Sequence, residues 1–205
     1  MVINNPMKHL TPYSIFEESE YTKNLQDAQS NFSKAERLDQ LSLDQEPQIR
    51  SWVASNNNTS AETLARLGKD DNSYVREEVA KHFRTPAETL LQLSQDPRYD
   101  TRLNVAKNPK APAEALAILS LDDDSEIKVR VAFNRNTPVE ILDRLSKSSD
   151  PNVRLAVAKN TSTPVESLIR LTKDEHISIR RNAQENPSFP EDITDWAIGG
   201  DDTWL

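Results

Sequence analysis

The chain has 205 residues, a net charge of −8 and no cysteine, so disulfides, thiolate metal sites and a cysteine nucleophile are excluded. Apolar residues make up 36% and charged residues 28%, which indicates a chain with much of its length facing water. With 3 Gly, Gly-rich phosphate loops are disfavoured. No run of 18 apolar residues and no signal-peptide pattern is present. We therefore expect a soluble, cytoplasmic protein without membrane contact.

The acidic charge is concentrated at the two ends of the chain. Residues 1–46 include 4 basic and 8 acidic residues, and residues 191–205 include 5 acidic residues and no basic residue. Residues 47–190 are near neutral, with 21 basic and 20 acidic residues. General nucleic-acid binding needs several basic residues on one face and a favourable overall field. This distribution therefore argues against nucleic acid as the partner.

Residues 1–31 lie outside the pattern that governs the rest of the chain. Their apolar residues could pack as an additional cap on the fold; these are Tyr13, Ile15, Phe16 and Tyr21. A largely disordered arm is an equal alternative for this segment.

Residues 32–199 are predicted to form an array of repeats with a period of 26. Six copies follow one another without insertion or deletion, after a half-copy at Ser33–Leu41 that is expected to act as an N-terminal cap. Three of the repeated columns read Arg50, Arg76, Arg102, Lys128, Arg154, Arg180; then Asn56, His82, Asn108, Asn134, Asn160, Asn186; then Leu64, Leu90, Leu116, Leu142, Leu168. A period of this size is typical of a solenoid built from short supersecondary units.

Each copy is predicted to contain two short helices. In the first helix, Ile49 and Val53 share one face, and the neighbouring Ala54 allows an adjacent helix to approach closely. The Asn that follows suits a helix end because Asn tolerates the left-handed conformation. The second helix opens with Thr-Pro-x-Glu, as at Thr163–Glu166. We expect Thr to cap this helix, Pro to occupy its first position and Glu to complete a capping box. The helices are short enough for one to be 3₁₀.

The last copy keeps Pro190 but loses the Leu column, and we expect Trp196 to close the final layer. Degenerate end copies are what a solenoid needs to avoid exposing apolar faces. Residues 200–205 form an acidic tail. Its sequence DDTWL also fits, weakly, a peptide that adds to a PDZ groove.

The pattern VRxxVAxNxxTPxExLxxL, complete at residues 153–171, resembles the leucine-rich repeat variant family and, more distantly, HEAT-like helical repeats. The resemblance covers roughly residues 34–197. It implies an all-α, right-handed solenoid of alternating α and 3₁₀ helices without catalytic residues. The founding form of that family carries a cysteine-bound iron–sulfur cluster, which this cysteine-free chain cannot hold. We therefore expect no cofactor and no metal.

Several regular features are interpreted as architecture. The basic column recurs beside the acidic turns and the Glu column, and it is expected to tie the loops of neighbouring units together through carboxylates and free carbonyls. The Asn column is interpreted as structural, with His82 as a substitute for Asn. The acidic run Leu121–Glu126 lacks the Gly and the alternating ligands of an EF-hand loop, so it is interpreted as a capping turn between units.

Function is expected where the copies differ, on the face of the first helices opposite the core. The variable positions there include residue types that dominate interface hot spots and a partial basic stripe. The candidate binding residues are Trp52, Tyr74, Lys81, Lys107, Arg130, Phe133 and Lys159. Two alternatives stay open: Trp52 packs under the N-terminal arm, and Phe133 is buried locally.

The leading hypothesis is a non-enzymatic scaffold that binds a protein or peptide partner. The alternative is a nucleic-acid-binding helical-repeat protein that uses Lys81, Lys107, Arg130 and Lys159. A third hypothesis is an enzyme with buried carboxylates from the Glu column, which six near-identical copies argue against.

Overall fold

A computed structural model describes the backbone of residues 12–190 and the side chains of residues 20–190. This part of the chain contains thirteen α-helices and no strand. The helices are α1 (Pro12–Gln29), α2 (Ala35–Leu41), α3 (Pro47–Ser55), α4 (Ala61–Leu67), α5 (Ser73–Lys81), α6 (Ala87–Leu93), α7 (Tyr99–Lys107), α8 (Ala113–Leu119), α9 (Ser125–Phe133), α10 (Val139–Leu145), α11 (Pro151–Lys159), α12 (Val165–Leu171) and α13 (Ile177–Gln184). The expected all-α repeat architecture is confirmed.

Each repeat consists of a first helix and a second helix, as the period of 26 predicts. The first helices are α3, α5, α7, α9, α11 and α13, and the second helices are α2, α4, α6, α8, α10 and α12. Every second helix is an α-helix of 7 residues, so the 3₁₀ alternative is not adopted within residues 12–190. Short helices of this kind depend on packing against neighbours for their stability.

The core is one continuous apolar layer between the two sets of helices. The repeated Leu of the second helices, at positions 38, 64, 90, 116, 142 and 168, are all fully buried. The repeated Val and Ala of the first helices, such as Val79 and Ala80, are equally buried. Because each repeat offers the same side chains to the next, burial continues along the stack without a break.

The two layers of helices are not spaced equally. Consecutive first helices pack directly against one another along the whole described stack, whereas the second helices of neighbouring repeats contact one another much less. The buried Ala of each first helix, for example Ala54 and Ala106, lets the neighbouring backbone come close. The contacts between neighbouring repeats are therefore made mainly by the first helices.

The N-terminal helix α1 occupies the place that a first helix would take before α2. It packs against α3 and α2, with Tyr21, Leu25 and Ala28 on the core side. Arg37 of α2 donates to Asp27 and Asn24 of α1, at 2.9 and 2.6 Å. The C-terminal half of α1 therefore covers the apolar face at this end of the stack.

The Thr of the Thr-Pro-x-Glu segments does not cap the second helix, which corrects the sequence-based expectation. Thr163 Oγ1 donates to the Val157 carbonyl, at 2.6 Å, and Thr85 and Thr137 repeat this bond in their own copies. Pro164 stands at the N-cap position, with φ −57° and ψ 144°, and precedes the first helical residue. The Thr side chain thus gives a second hydrogen bond to a carbonyl in the last turn of the first helix, which also accepts from the Asn160 N–H.

The Asn column is structural, but for a different reason than expected. Within residues 12–190 no non-glycine residue has a positive φ, and Asn108 has φ −70° and ψ 126°. Asn108 Nδ2 instead donates to the carbonyls of Ala80 and His82 in the preceding repeat, at 2.8 and 3.2 Å. Its Oδ1 accepts from the Lys110 N–H. Asn56, Asn134, Asn160 and Asn186 make the same set of bonds.

The basic column ties the repeats together, as expected. Arg50 donates from Nε and Nη2 to both oxygens of Asp70, at 2.6 and 2.9 Å, and from Nη1 to the carbonyls of Asp44 and Gln45. The same arrangement recurs at Arg76–Asp96, Arg102–Asp122 and Arg154–Asp174. The expected link to the Glu column is wrong, because Glu62, Glu88, Glu114, Glu140 and Glu166 are exposed in the first turns of the second helices.

The acidic run at 121–126 is a turn between repeats, as interpreted. Asp122 accepts from Arg102 and from the Asp124 N–H, and Asp124 caps α9 by accepting from the Glu126 N–H. Burial alone would raise the pKa of Asp122, but the hydrogen bonds from Arg102 and Asp124 and the charge of Arg102 hold it below its usual value.

The expectations for Tyr13, Ile15 and Phe16, for Trp196 and for the tail at 200–205 fall on side chains outside the described residues.

Candidate functional site

The exposed face of the first helices carries the candidate residues because the core pair of each helix points the other way. Ile49 and Val53 are 1% and 0% exposed, whereas Trp52 on the same helix is 41% exposed. Tyr74 and Phe133 are 61% and 46% exposed in their own repeats. Large aromatic side chains held on a rigid stack are suited to contact a partner, because they bury much area at little entropic cost.

Trp52 and Tyr74 lie together in one cleft between α3 and α5. The cleft has a volume of 420 Å³ and is also lined by Pro47, Gln48 and Ser51. The guanidinium of Arg98 lies over the Tyr74 ring, 4.4 Å from its centroid, and pairs with Asp100. This cation–π contact orients the Tyr74 ring on the surface.

Lys107, Arg130 and Phe133 lie together in a second cleft, between α7 and α9. Its volume is 360 Å³, and Arg135 and Asn136 complete the wall. Arg130 is held by Glu126 one turn earlier, with its Nη2 2.5 Å from the carboxylate. This cleft therefore combines an exposed aromatic ring with two cations, Lys107 and Arg135, that have no carboxylate partner within residues 20–190.

Lys81 and Lys159 continue the column of Lys107 and Phe133 in the neighbouring repeats. Lys81 pairs with Glu77 and Glu78, at 2.7 and 2.8 Å. Burial would lower the pKa of Lys81, but the hydrogen bonds and charges of these two carboxylates raise it above its usual value. Lys159 is exposed at the end of α11, and no described carboxylate pairs with it.

The two alternatives for the aromatic residues can be judged from their exposure. Trp52 is 41% exposed although α1 packs against α3, so it is not fully buried there. Phe133 is 46% exposed and is not buried locally.

Sequence reasoning missed the loop residues beside the candidate positions. Arg135 and Asn136 complete the Phe133 cleft, and their column shows no regular pattern that would single them out. A second missed feature is a 630 Å³ cleft between α1 and α3, lined by Tyr21, Leu43 and Asp44. It depends on how α1 is placed, which the period of 26 does not specify.

The described residues do not offer a metal or cluster site. Within residues 20–190 no group of three or more His, Asp or Glu side chains is arranged to hold a metal ion. The chain also has no cysteine, so it cannot bind the cysteine-ligated iron–sulfur cluster of the founding leucine-rich repeat variant. The exposed Glu column likewise does not supply the buried carboxylates that the enzyme hypothesis needs.

The described part of the chain contains no candidate membrane-spanning helix. No helix there is both long enough and apolar enough to span a bilayer.

The fold resembles solved helical-repeat structures. A structure described as a leucine-rich repeat variant with a novel repetitive structural motif has a TM-score of 0.58 and 26% identity, covering 84% of this chain and 74% of its own. The YibA protein of E. coli has a TM-score of 0.49 and 16% identity, with 80% and 72% coverage. An engineered protein has a TM-score of 0.47 and 17% identity, with 74% and 94% coverage.

No protein-family model matches the chain, and no curated protein matches it at a significant level. The resemblance to the leucine-rich repeat variant is thus a structural one. A helical-repeat fold of this kind is in general a protein-interaction scaffold and is typically not catalytic.

Proposed function

We propose that this protein is a non-enzymatic scaffold that holds a protein or peptide partner on the exposed face of its first helices. The observation that carries the proposal is the pair of clefts on that face, each built around exposed aromatic side chains of an otherwise well-packed stack.

The charge pattern of the candidate residues favours a protein partner over nucleic acid. Lys81 and Arg130, two of the four cations that the nucleic-acid alternative needs, are held by carboxylates of their own helices. A phosphate backbone would have to compete with Glu77, Glu78 and Glu126 for them. Capture with and without nuclease distinguishes the nucleic-acid alternative from a protein partner.

The test is affinity capture from a lysate of the source organism, in nuclease-treated and untreated halves, followed by binding measurements with the purified partner. We expect to capture a protein in stoichiometric amount in both the nuclease-treated and the untreated halves. Trp52→Ala and Phe133→Glu should each weaken binding of this partner at least tenfold, because a hot-spot residue loses more than about 1.4 kcal/mol when it is changed.

The matched control is Leu121→Glu, which places the same charge at an apolar residue that is 68% exposed in the turn before α9 and lines neither of the two clefts. Binding of the control should equal that of the parent. Capture that vanishes with nuclease would favour the nucleic-acid alternative, and unchanged binding by both variants would reject the proposed face.

A further inference from the structure

The two edges of the stack differ in charge. One edge, here called the loop edge, consists of the loops 56–60, 82–86, 108–112, 134–138 and 160–164 with the last residue of each preceding first helix. The other, the turn edge, consists of the turns 42–46, 68–72, 94–98, 120–124, 146–150 and 172–176. The five loops contain 3 basic and no acidic residues, whereas the six turns contain 4 basic and 11 acidic residues.

The basic side chains of the loop edge are largely uncompensated. Arg84, Lys107, Lys110, Arg135 and Lys159 are all exposed, and none forms a salt bridge with a carboxylate of residues 20–190. By contrast, four carboxylates of the turn edge, at positions 70, 96, 122 and 174, are each paired with an arginine of the basic column. The near-neutral repeat region thus contains one strip of positive charge.

Part of this charge has a local explanation. Lys107 and Lys159 stand in the last turns of α7 and α11, where a cation is stabilised by the partial negative charge of a helix C-terminus. Arg84, Lys110 and Arg135 lie beyond the helices, and carbonyls at the ends of the preceding first helices already accept hydrogen bonds from the Asn and Thr columns. The helix dipole therefore does not account for the loop cations.

An apolar anchor lies in the middle of the strip. The exposed Phe133 ring stands in the 360 Å³ cleft with Lys107 and Arg135, and Lys159 follows in the same column of the adjacent repeat. The cleft can take one apolar side chain against the ring, while carboxylates on either side of it reach the three cations.

The strip is too narrow for a duplex. The second helices begin directly after the loops, and each carries an exposed Glu in its first turn, such as Glu114 and Glu140. A polyanion wider than one extended chain would meet these carboxylates. Ser55 ends the column of Lys107 and Phe133 on one side and Glu185 ends it on the other, so the cationic stretch is also short.

We propose that the loop edge around Phe133 binds an acidic peptide segment in extended form, with an apolar side chain on Phe133 and flanking carboxylates on Lys107, Arg135 and Lys159. This inference rests on the proposed function, since it names the chemistry of the partner at one of its two clefts.

The probe is a short fluorescein-labelled peptide of alternating Asp and Glu around one Phe, and anisotropy with the full chain measures its binding. We expect saturable binding that weakens with added salt. Its amide counterpart, with Asn and Gln in place of the acids, should bind at least tenfold more weakly. The double variant K107E/R135E should lower the affinity for the acidic peptide about tenfold.

The matched control is the double variant K69E/K173E, which makes the same charge change at two exposed lysines of the turn edge and should leave the affinity unchanged. Phe133→Ser should weaken binding of the peptide that contains Phe more than binding of a peptide with Ala in its place. This difference would locate the apolar side chain of the peptide on the Phe133 ring.

Equal affinity for the acidic and amide peptides, or equal effects of the two double variants, would overturn the inference. So would displacement of the peptide by a short oligo-dT at equal concentration, which would assign the strip to nucleic acid. A captured partner that needs Trp52 but is bound normally by K107E/R135E would overturn the inference and leave the proposed function standing.

Discussion

Thr101 is the residue that fits its own column least well. The other copies place Ile49, Val75, Ile127, Val153 and Ile179 there. Thr101 is fully buried, and its hydroxyl has no hydrogen-bond partner among the described residues. A buried hydroxyl without a partner costs free energy of folding because it has lost its bonds to water.

We predict that Thr101→Val stabilises the protein by about 1 kcal/mol, since Val has the same shape without the unsatisfied hydroxyl. Urea unfolding at equilibrium measures the change. The same substitution at Thr163 is the matched control: its hydroxyl donates to the Val157 carbonyl at 2.6 Å, so Thr163→Val should destabilise by about 1 kcal/mol. Equal effects at both positions would contradict the reasoning.

His82 replaces Asn and makes the bonds of Asn with its ring. Nδ1 accepts from the Arg84 N–H at 3.0 Å, which assigns the proton to Nε2, and Nε2 donates to the Asn56 carbonyl at 3.1 Å. Only the neutral ring can do both. Burial lowers the pKa of His82, and the charges of Arg84 and Lys110 lower it further, although the bond to Asn56 acts in the opposite direction.

The folded state therefore disfavours protonation of His82. Its contribution to stability is complete above the ordinary pKa of 6.5 and is lost as the pH falls from there toward the lower folded-state value. We predict that His82→Asn removes this loss. The free energy of unfolding, measured by urea titration from pH 7.5 to 5, should fall less steeply than in the parent, by at most about 1.4 kcal/mol per pH unit.

His176→Asn is the control, because it removes an exposed histidine on the turn edge and should keep the pH dependence of the parent. A parental slope in His82→Asn would show that other groups carry the pH dependence.

Arg–Asp pairs link neighbouring turns of the stack, and within residues 20–190 one of these pairs is incomplete. Lys128 and Ser148 occupy the positions that Arg and Asp hold elsewhere. Ser148 still accepts from the Asp150 N–H, at 3.2 Å, as Asp70 does from Asn72. The turn is thus preserved in this copy, but the side-chain bond between the two repeats is missing.

We predict that Lys128→Arg and Ser148→Asp together stabilise the protein by about 1–2 kcal/mol more than the sum of the single changes, because a bidentate pair forms only when both are present. A double-mutant cycle by urea unfolding measures this coupling. The Asp of the intact pairs is 4–9% exposed, so solvent screens the pair only weakly. Additive single effects would contradict the prediction.

The whole molecule separates its polar groups by side. The turn edge holds the carboxylates and their arginines, the loop edge holds the uncompensated cations, and the exposed face of the first helices holds the aromatic clefts. Because the six repeats are in register, the residues of one column all lie on the same side of the stack, and so does the charge that they carry. The net charge of −8 therefore says little about the field at any one side.

The period, the pairing of helices and the buried columns could be read from the sequence, because each copy repeats the same apolar spacing. The hydrogen bonds inside a copy could not. The Thr-Pro-x-Glu segment has the composition of a capping box, yet Thr163 bonds backward to Val157 because the loop brings that carbonyl within reach. The local sequence allows several hydrogen-bond partners for the Thr hydroxyl, and the conformation of the folded loop determines which one it bonds.

By itself the sequence determined that the chain is an α-helical solenoid without thiol chemistry, and that its variable positions face outward. Only the tertiary structure decided which variable residues meet. It joined Trp52 to Tyr74, and Lys107 to Phe133 and Arg135, and it gave Lys81 and Arg130 to carboxylates of their own helices. The physical reason is that side-chain contacts across repeats depend on helix spacing and on side-chain direction, which a period of 26 leaves unspecified.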